Sequence, residues 1–231
     1  DKEGQTKSNF TNFVDGDLWG GTHVVKPTKN ICLEAFVLPL PPGAGGAPMV
    51  AVTPAATEVE IAADVDQANE IFRAIAKSCN CDFYLNFQLK TPVTNLTFAE
   101  VDAFDDNHNG MIESDGDLND GHADEIDKMM ANHPASPNCI PIYYTREIGL
   151  GASSLMGVSY SSATSNGLLV NNIIDNDGRT LSHELAHQLS NVEVDDPDRP
   201  DSHAEGADQA GNLMNYYDHT GDNLTIKQCE E

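Results

Sequence analysis

Residues 180–190 read Thr-Leu-Ser-His183-Glu184-Leu-Ala-His187-Gln-Leu-Ser. On a helix, side chains four apart share a face, so His183 and His187 can offer two imidazoles to one divalent cation. Zinc takes such nitrogens at about 2.0–2.1 Å and brings the pKa of a bound water toward roughly 7. Glu184 follows the first ligand and faces the open coordination position. There a carboxylate can take a proton from that water and deliver it to a leaving amine. A chain with 8 His and this Glu content contains H-E-x-x-H by chance about 0.02 times. The competing reading is a surface helix with two solvated histidines. Apolar Leu185, Ala186 and Leu189 argue against it, because they give the helix a face to bury.

The wider stretch, His183-Glu184-Leu-Ala-His187-Gln-Leu-Ser190-Asn-Val-Glu193 and then Gly211-Asn-Leu-Met214-Asn-Tyr216, resembles the metzincin metallopeptidases. Their pattern is H-E-x-x-H-x-x-G-x-x-H followed by a Met-turn. The segment from Asn212 to Asp218 with Leu224 to Gln228 is similar, more loosely, to pappalysin-like secreted members. In motif the resemblance covers residues 180–228; before that it rests on element order. It implies an α+β fold of the metzincin-like zincin type: a twisted mixed sheet with two helices in the upper part, an active-site helix, and an irregular lower subdomain. The implied activity is a zinc-dependent endopeptidase acting on a peptide or protein.

The resemblance also implies roles for particular residues. The third zinc ligand falls on Glu193, where the family has His, and Ser190 stands at the Gly position. That Gly lets the helix stop in a left-handed turn, and Asn191 can adopt the same conformation. A carboxylate oxygen is an ordinary zinc ligand, though it leaves the bound water less acidic. His203, in a polar loop, is the alternative third ligand; the family offset favours Glu193. Met214 is expected as an apolar, polarizable floor beneath the histidines. Tyr216 is expected to donate its hydroxyl to the oxyanion. In this family an edge strand above the cleft holds the substrate extended. Residues 157–164 and 140–145 are both candidates for it.

A second cluster of oxygen ligands lies upstream. Asp105-Asp-Asn107-His-Asn109-Gly110-Met111-Ile-Glu113 follows the opening of a calcium loop of the EF-hand type, with Gly at position 6 and an apolar residue at position 8. Position 12 is Gly116, flanked by Asp115 and Asp117. Asp105, Asn107, Asn109, the Met111 carbonyl, Glu113 and Asp117 together suit calcium, which would order a loop otherwise too costly in entropy. The competing reading is a solvated acidic loop. A rival for the whole chain is a calcium-dependent binding or adhesion module with a decayed peptidase site.

These residues need a scaffold to position them. Residues 31–40 read as a strand, and residues from Asp64 or Asp66 to Lys77 as a helix. Residues 81–90 read as a second strand, which makes a strand–helix–strand crossover. Ile140 to Thr145 is a short strand, which Pro141 places at an edge or a strand start. Residues 167–174 form a further strand, and a helix follows over 179–190. Residues 1–30 are expected to be an N-terminal arm. Residues 31–231 then make one catalytic domain, upper to about 190 and lower beyond. Residues 41–57 are a Pro/Gly/Ala loop.

Composition narrows the class. Twelve Lys+Arg against 37 Asp+Glu give a formal charge of −25, which argues against a nucleic-acid or anionic-membrane partner. Hydrophobic residues are 39% of the chain, too many for a disordered acidic tail. No apolar run reaches the roughly 18 residues that span a bilayer. The five cysteines, Cys32, Cys79, Cys81, Cys139 and Cys229, lack the spacing of a zinc ribbon and suit two disulfides with one thiol left over. With glycosylation sequons at Asn9, Asn95 and Asn223 and a start at Asp1 without a leader, the chain is expected to be the mature form of a secreted protein. It is expected to act as a monomer. Glu193→Ala is expected to lower zinc affinity more than His203→Ala. A metal titration giving the reverse order would assign the third ligand to His203.

Overall fold

The computed structural model describes residues 26–39, 54–105, 112–114, 125–145, 148–150, 153–161, 166–171, 179–190, 213–214 and 224. In chain order the elements are β1 (Thr28–Val37), α1 (Glu58–Ser78), β2 (Tyr84–Asn95), α2 (Phe98–Asp102), β3 (Ile112–Ser114), α3 (Glu125–Asn132), β4 (Cys139–Thr145), β5 (Ile148–Leu150), β6 (Ser153–Leu155), β7 (Gly157–Ser161), β8 (Asn166–Asn171) and α4 (Arg179–Ser190).

A five-stranded sheet runs β2-β1-β4-β8-β7. Its first four strands are parallel and β7 is antiparallel to β8. Alternating side chains divide the core between the two faces. Leu33, Ala35 and Val37, Ile142 and Tyr144, and Leu168 and Val170 pack with Ile61, Val65, Ala68 and Phe72 of α1 and Leu181 and Leu185 of α4. On the other face Phe36, Tyr143 and Leu169 pack with Phe104, Ile112, Ile126, Met129 and Ile148. Because both faces are covered, the inner strands carry unbroken apolar runs. A smaller sheet, β3-β5-β6, pairs β3 parallel to β5 and β5 antiparallel to β6.

The expected crossover is present, since β1 and β2 are parallel neighbours joined through α1. Several boundaries differ from expectation. The first strand begins at Thr28, inside the segment expected to be an arm. Helix α1 begins two turns before Asp64. Thr57 caps it: the Thr57 Oγ1 accepts from the Glu60 N–H at 3.3 Å, and the Glu60 carboxylate accepts from the Thr57 N–H at 2.7 Å. This reciprocal box outcompetes an aspartate cap. Asp64 lies inside the helix, buried, and accepts from the Tyr144 hydroxyl at 3.0 Å. The helix stops where Asn80 turns left-handed at φ 52°.

The segment 140–145 is interior rather than an edge, lying between β1 and β8. Pro141 is tolerated there because β8 pairs with β4 only from Ile142 onward. Helices α2 and α3 were not expected. The first rests on a Thr97–Glu100 box like that of α1, and the second begins at the end of the Asp/Asn/Gly-dense stretch 102–127, which reads as loop.

Cross-links hold the parallel strands together. Cys32 and Cys139 are directly opposite in the β1–β4 ladder and form a disulfide across 107 residues of sequence. Cys79 is also disulfide-bonded, and Cys81 keeps a free thiol. Glu34 of β1 pairs with Lys90 of β2 at 2.6 Å and accepts from the Ser136 N–H just before β4. Burial alone would raise the Glu34 carboxyl. The Lys90 ammonium and the Ser136 N–H and hydroxyl outweigh it and hold the group below its usual range.

Closing a loop of about 100 residues in the unfolded chain is worth up to about 4.7 kcal/mol by the chain-entropy estimate. The Cys32→Ser/Cys139→Ser double variant is therefore expected to lose about 2–5 kcal/mol of unfolding free energy in a denaturant titration.

Candidate metal centre

Helix α4 presents a different surface to each neighbour. Leu181 and Leu185 are fully buried against the sheet and α1. Ala186 packs toward a third apolar cluster formed by Ile71 and Ile75 of α1 with Leu213, Met214 and Leu224. Thr180, Glu184 and Gln188 lie one turn apart on the side facing β7. His183 and His187 occupy the remaining stripe. The helix is thus held on three sides, which fixes the direction of its polar groups.

The two imidazoles converge. His183 Nε2 and His187 Nε2 are 3.0 Å apart, with ring planes at 75°. His183 Nδ1 lies 2.7 Å from the Leu213 carbonyl oxygen. A carbonyl only accepts, so Nδ1 carries a proton, and in the neutral ring the lone pair is then on Nε2. This is how a metal-binding histidine is commonly oriented by an outer partner. Two nitrogens on a tetrahedral zinc lie about 3.3 Å apart, so the observed separation is a few tenths of an ångström from what zinc asks. The two imidazole nitrogens by themselves are spaced compatibly with one shared cation.

Leu213 and Met214 are both buried beside α4. They are the two described residues of the segment that the sequence marks as a Met-turn, and they pack with Ile71 and Ile75 while the Leu213 carbonyl meets His183. The Leu213 carbonyl is a backbone group and carried no sequence signal. Among the described residues no group of three or more His, Cys, Asp or Glu side chains could hold a metal. Both Glu193 and His203 lie outside the described residues, as does Tyr216.

Glu184 is 4% exposed. Burial raises its carboxyl to about 8, against a smaller opposing pull from the Ser159 backbone N–H. A cation held by the adjacent imidazoles would act in the same direction as that N–H and favour the carboxylate. The Ser159 hydroxyl donates to Gln188 Oε1 at 3.4 Å, so β7 is tied to α4 at two successive turns.

The sheet topology separates the two candidate substrate strands. Residues 157–161 form the antiparallel edge strand beside Glu184, whereas 140–145 is enclosed. At the opposite edge, the Asn69 side chain of α1 bonds both backbone groups of Phe87, donating to its carbonyl at 3.0 Å and accepting from its N–H at 2.7 Å. That clamp occupies β2 where a further strand would pair. Sequence reasoning missed Asn69, since an asparagine in a helix interior gives no sign of a tertiary partner.

Of the expected calcium ligands, Asp105 is buried at 4% exposure. Asn107, Asn109, Met111 and Asp117 lie outside the described residues, and Glu113 is described only as part of the β3 backbone. Ile112, at position 8 of that loop, is buried in the second core cluster. No protein-family model matches the chain, and comparison with curated proteins returns no match.

Met214→Ala is expected to cost about 2–5 kcal/mol by opening a cavity. It should also weaken zinc retention by loosening the Leu213 carbonyl. Met214→Leu should cost under about 1.5 kcal/mol. Urea titration with zinc analysis separates the two variants; equal behaviour would show that the turn does not support the site.

Proposed function

We propose that the chain is a secreted zinc-dependent endopeptidase of the metzincin type, loosely similar to the pappalysin-like members. The observation that carries this reading is the His183 ring, bonded at Nδ1 to Leu213 and aimed at His187 by its Nε2. One histidine pair on a helix is common. A backbone acceptor 30 residues downstream that selects the metal-binding tautomer is the added constraint. The mixed sheet, with its antiparallel edge strand beside the helix, supports the same assignment.

His183 and His187 would hold the zinc, with Glu193 or His203 as third ligand. Zinc in that position supplies Lewis acidity, bringing the pKa of water toward roughly 7. Glu184 takes the proton of the attacking water and passes it to the leaving amine. Its buried setting keeps bulk water from competing for that proton. Tyr216 donates its hydroxyl to the developing oxyanion. The substrate, a peptide or protein, lies extended along the open edge of β7.

The acidic loop is assigned a structural calcium, supported by the buried Asp105 carboxylate and the anchoring of Ile112 against β5. Secretion is supported by the Cys32–Cys139 disulfide. Among the described residues no helix is long and apolar enough to cross a membrane. The chain is taken to act as a monomer without nucleic-acid or membrane partners.

Glu184→Ala is expected to keep one zinc per chain and a cooperative unfolding transition, while peptide cleavage falls by roughly 10²–10⁴. Cleavage at near wild-type rate would remove Glu184 from the mechanism. Calcium without zinc in the purified protein would favour the binding module instead.

A further inference from the structure

Gly157 opens β7 directly against the active-site helix. A Cβ built on it would lie 2.7 Å from Glu184 Oε1, 2.9 Å from Glu184 Cγ and 2.7 Å from Thr180 Cγ2. Each separation is below the 3.0 Å that real Cβ atoms respect. Any side chain at 157 must therefore displace β7, the helix or the Glu184 carboxylate. Two residues on, the Ser159 backbone N–H favours the ionised form of that carboxylate, and the Ser159 hydroxyl bonds Gln188 one turn along the same helix. Ser159 lies opposite Leu168 in the ladder. An N–H spent on Glu184 points off the open edge, away from β8.

Glu184 is too buried for bulk water to orient it. What remains is a wall on one side and a donor on the other, both supplied by the same strand. The wall works only because it has no Cβ. The donor is available because β7 is an edge strand among the described residues.

We infer that β7 is the positioning strand of Glu184, with the missing Cβ of Gly157 and the backbone N–H of Ser159 together setting where the carboxylate points. The consequence for rate rests on the peptidase reading; the contact itself does not. Gly157 and Ser159 act through Glu184 and touch no reacting atom.

Five variants of the full zinc-loaded chain test this, read by kcat, KM, zinc content, Tm and the Ser159 amide proton resonance in ¹⁵N-labelled protein. Gly157→Ala is expected to lower kcat about tenfold or more, with KM within about twofold and zinc retained. Adding Thr180→Ser removes the helix methyl but leaves the Glu184 collision, so the double variant should regain Tm without regaining kcat. Ser159→Pro deletes only the N–H, at an edge position that accommodates proline. Its kcat should fall about fivefold or more below that of Ser159→Ala, which keeps the N–H. Glu184→Ala should move the Ser159 amide resonance upfield.

Recovery of kcat in the Gly157→Ala/Thr180→Ser variant would make Gly157 a packing residue and overturn the inference. An amide resonance that Glu184→Ala leaves in place would overturn it as well. A wild-type chain that cleaves no peptide would remove the peptidase reading, and the resonance alone would then decide the placement of Glu184.

Discussion

A carbonyl oxygen has no proton to give, so the 2.7 Å contact between Leu213 and His183 places a proton on Nδ1 and, in the neutral ring, leaves the lone pair on Nε2. With Nδ1 protonated, the lone pair lies on Nε2 and faces His187. The remaining arrangement follows from holding that contact. Leu213 must stay buried, which Met214, Ile71 and Ile75 achieve by packing around it. Helix α4 must not rotate, which Leu181 and Leu185 prevent by seating in the sheet face. A rotation of one residue, about 100° on a helix, would turn both imidazoles into the core.

The sheet serves this helix unequally along its width. At the β2 edge the Asn69 clamp, and between β2, β1 and β4 the Glu34–Lys90–Ser136 tie and the Cys32–Cys139 bond, close backbone and strands against change. Among the described residues β7 is the other edge strand, and it lies against Glu184. A site needs both features: a rigid base to hold its groups to within about half an ångström, and one accessible edge where a chain can pair. The path from the acidic loop to that edge is continuous, since β3 pairs with β5, β5 with β6, and β6 leads through Met156 into β7.

Expectations failed where a local signal had a stronger local rival or a distant partner. Asp64 or Asp66 was expected to open the helix, but the Thr57–Glu60 box starts it earlier and leaves Asp64 to bond Tyr144 across the core. Pro141 was expected at an edge or a strand start, and it falls near the start of β4. It lies in an interior strand because its neighbour β8 begins pairing one residue later. Helix α3 was hidden in acidic composition, yet Ile126, Met129 and Met130 at helical spacing fill the second core cluster.

The order of residues by itself determined the chemistry on offer: two imidazoles and a carboxylate at helical spacing, a methionine turn after them, and the β1–α1–β2 crossover. These are local or periodic properties, and 3.6-residue and 2-residue repeats can be read from a string. Only the tertiary structure decided which nitrogen of His183 holds the proton, which strand is the open edge, and why position 157 carries no side chain. Each of those depends on a backbone group or an empty volume contributed by a segment far away in sequence, and neither leaves a mark in the identity of the residue that needs it.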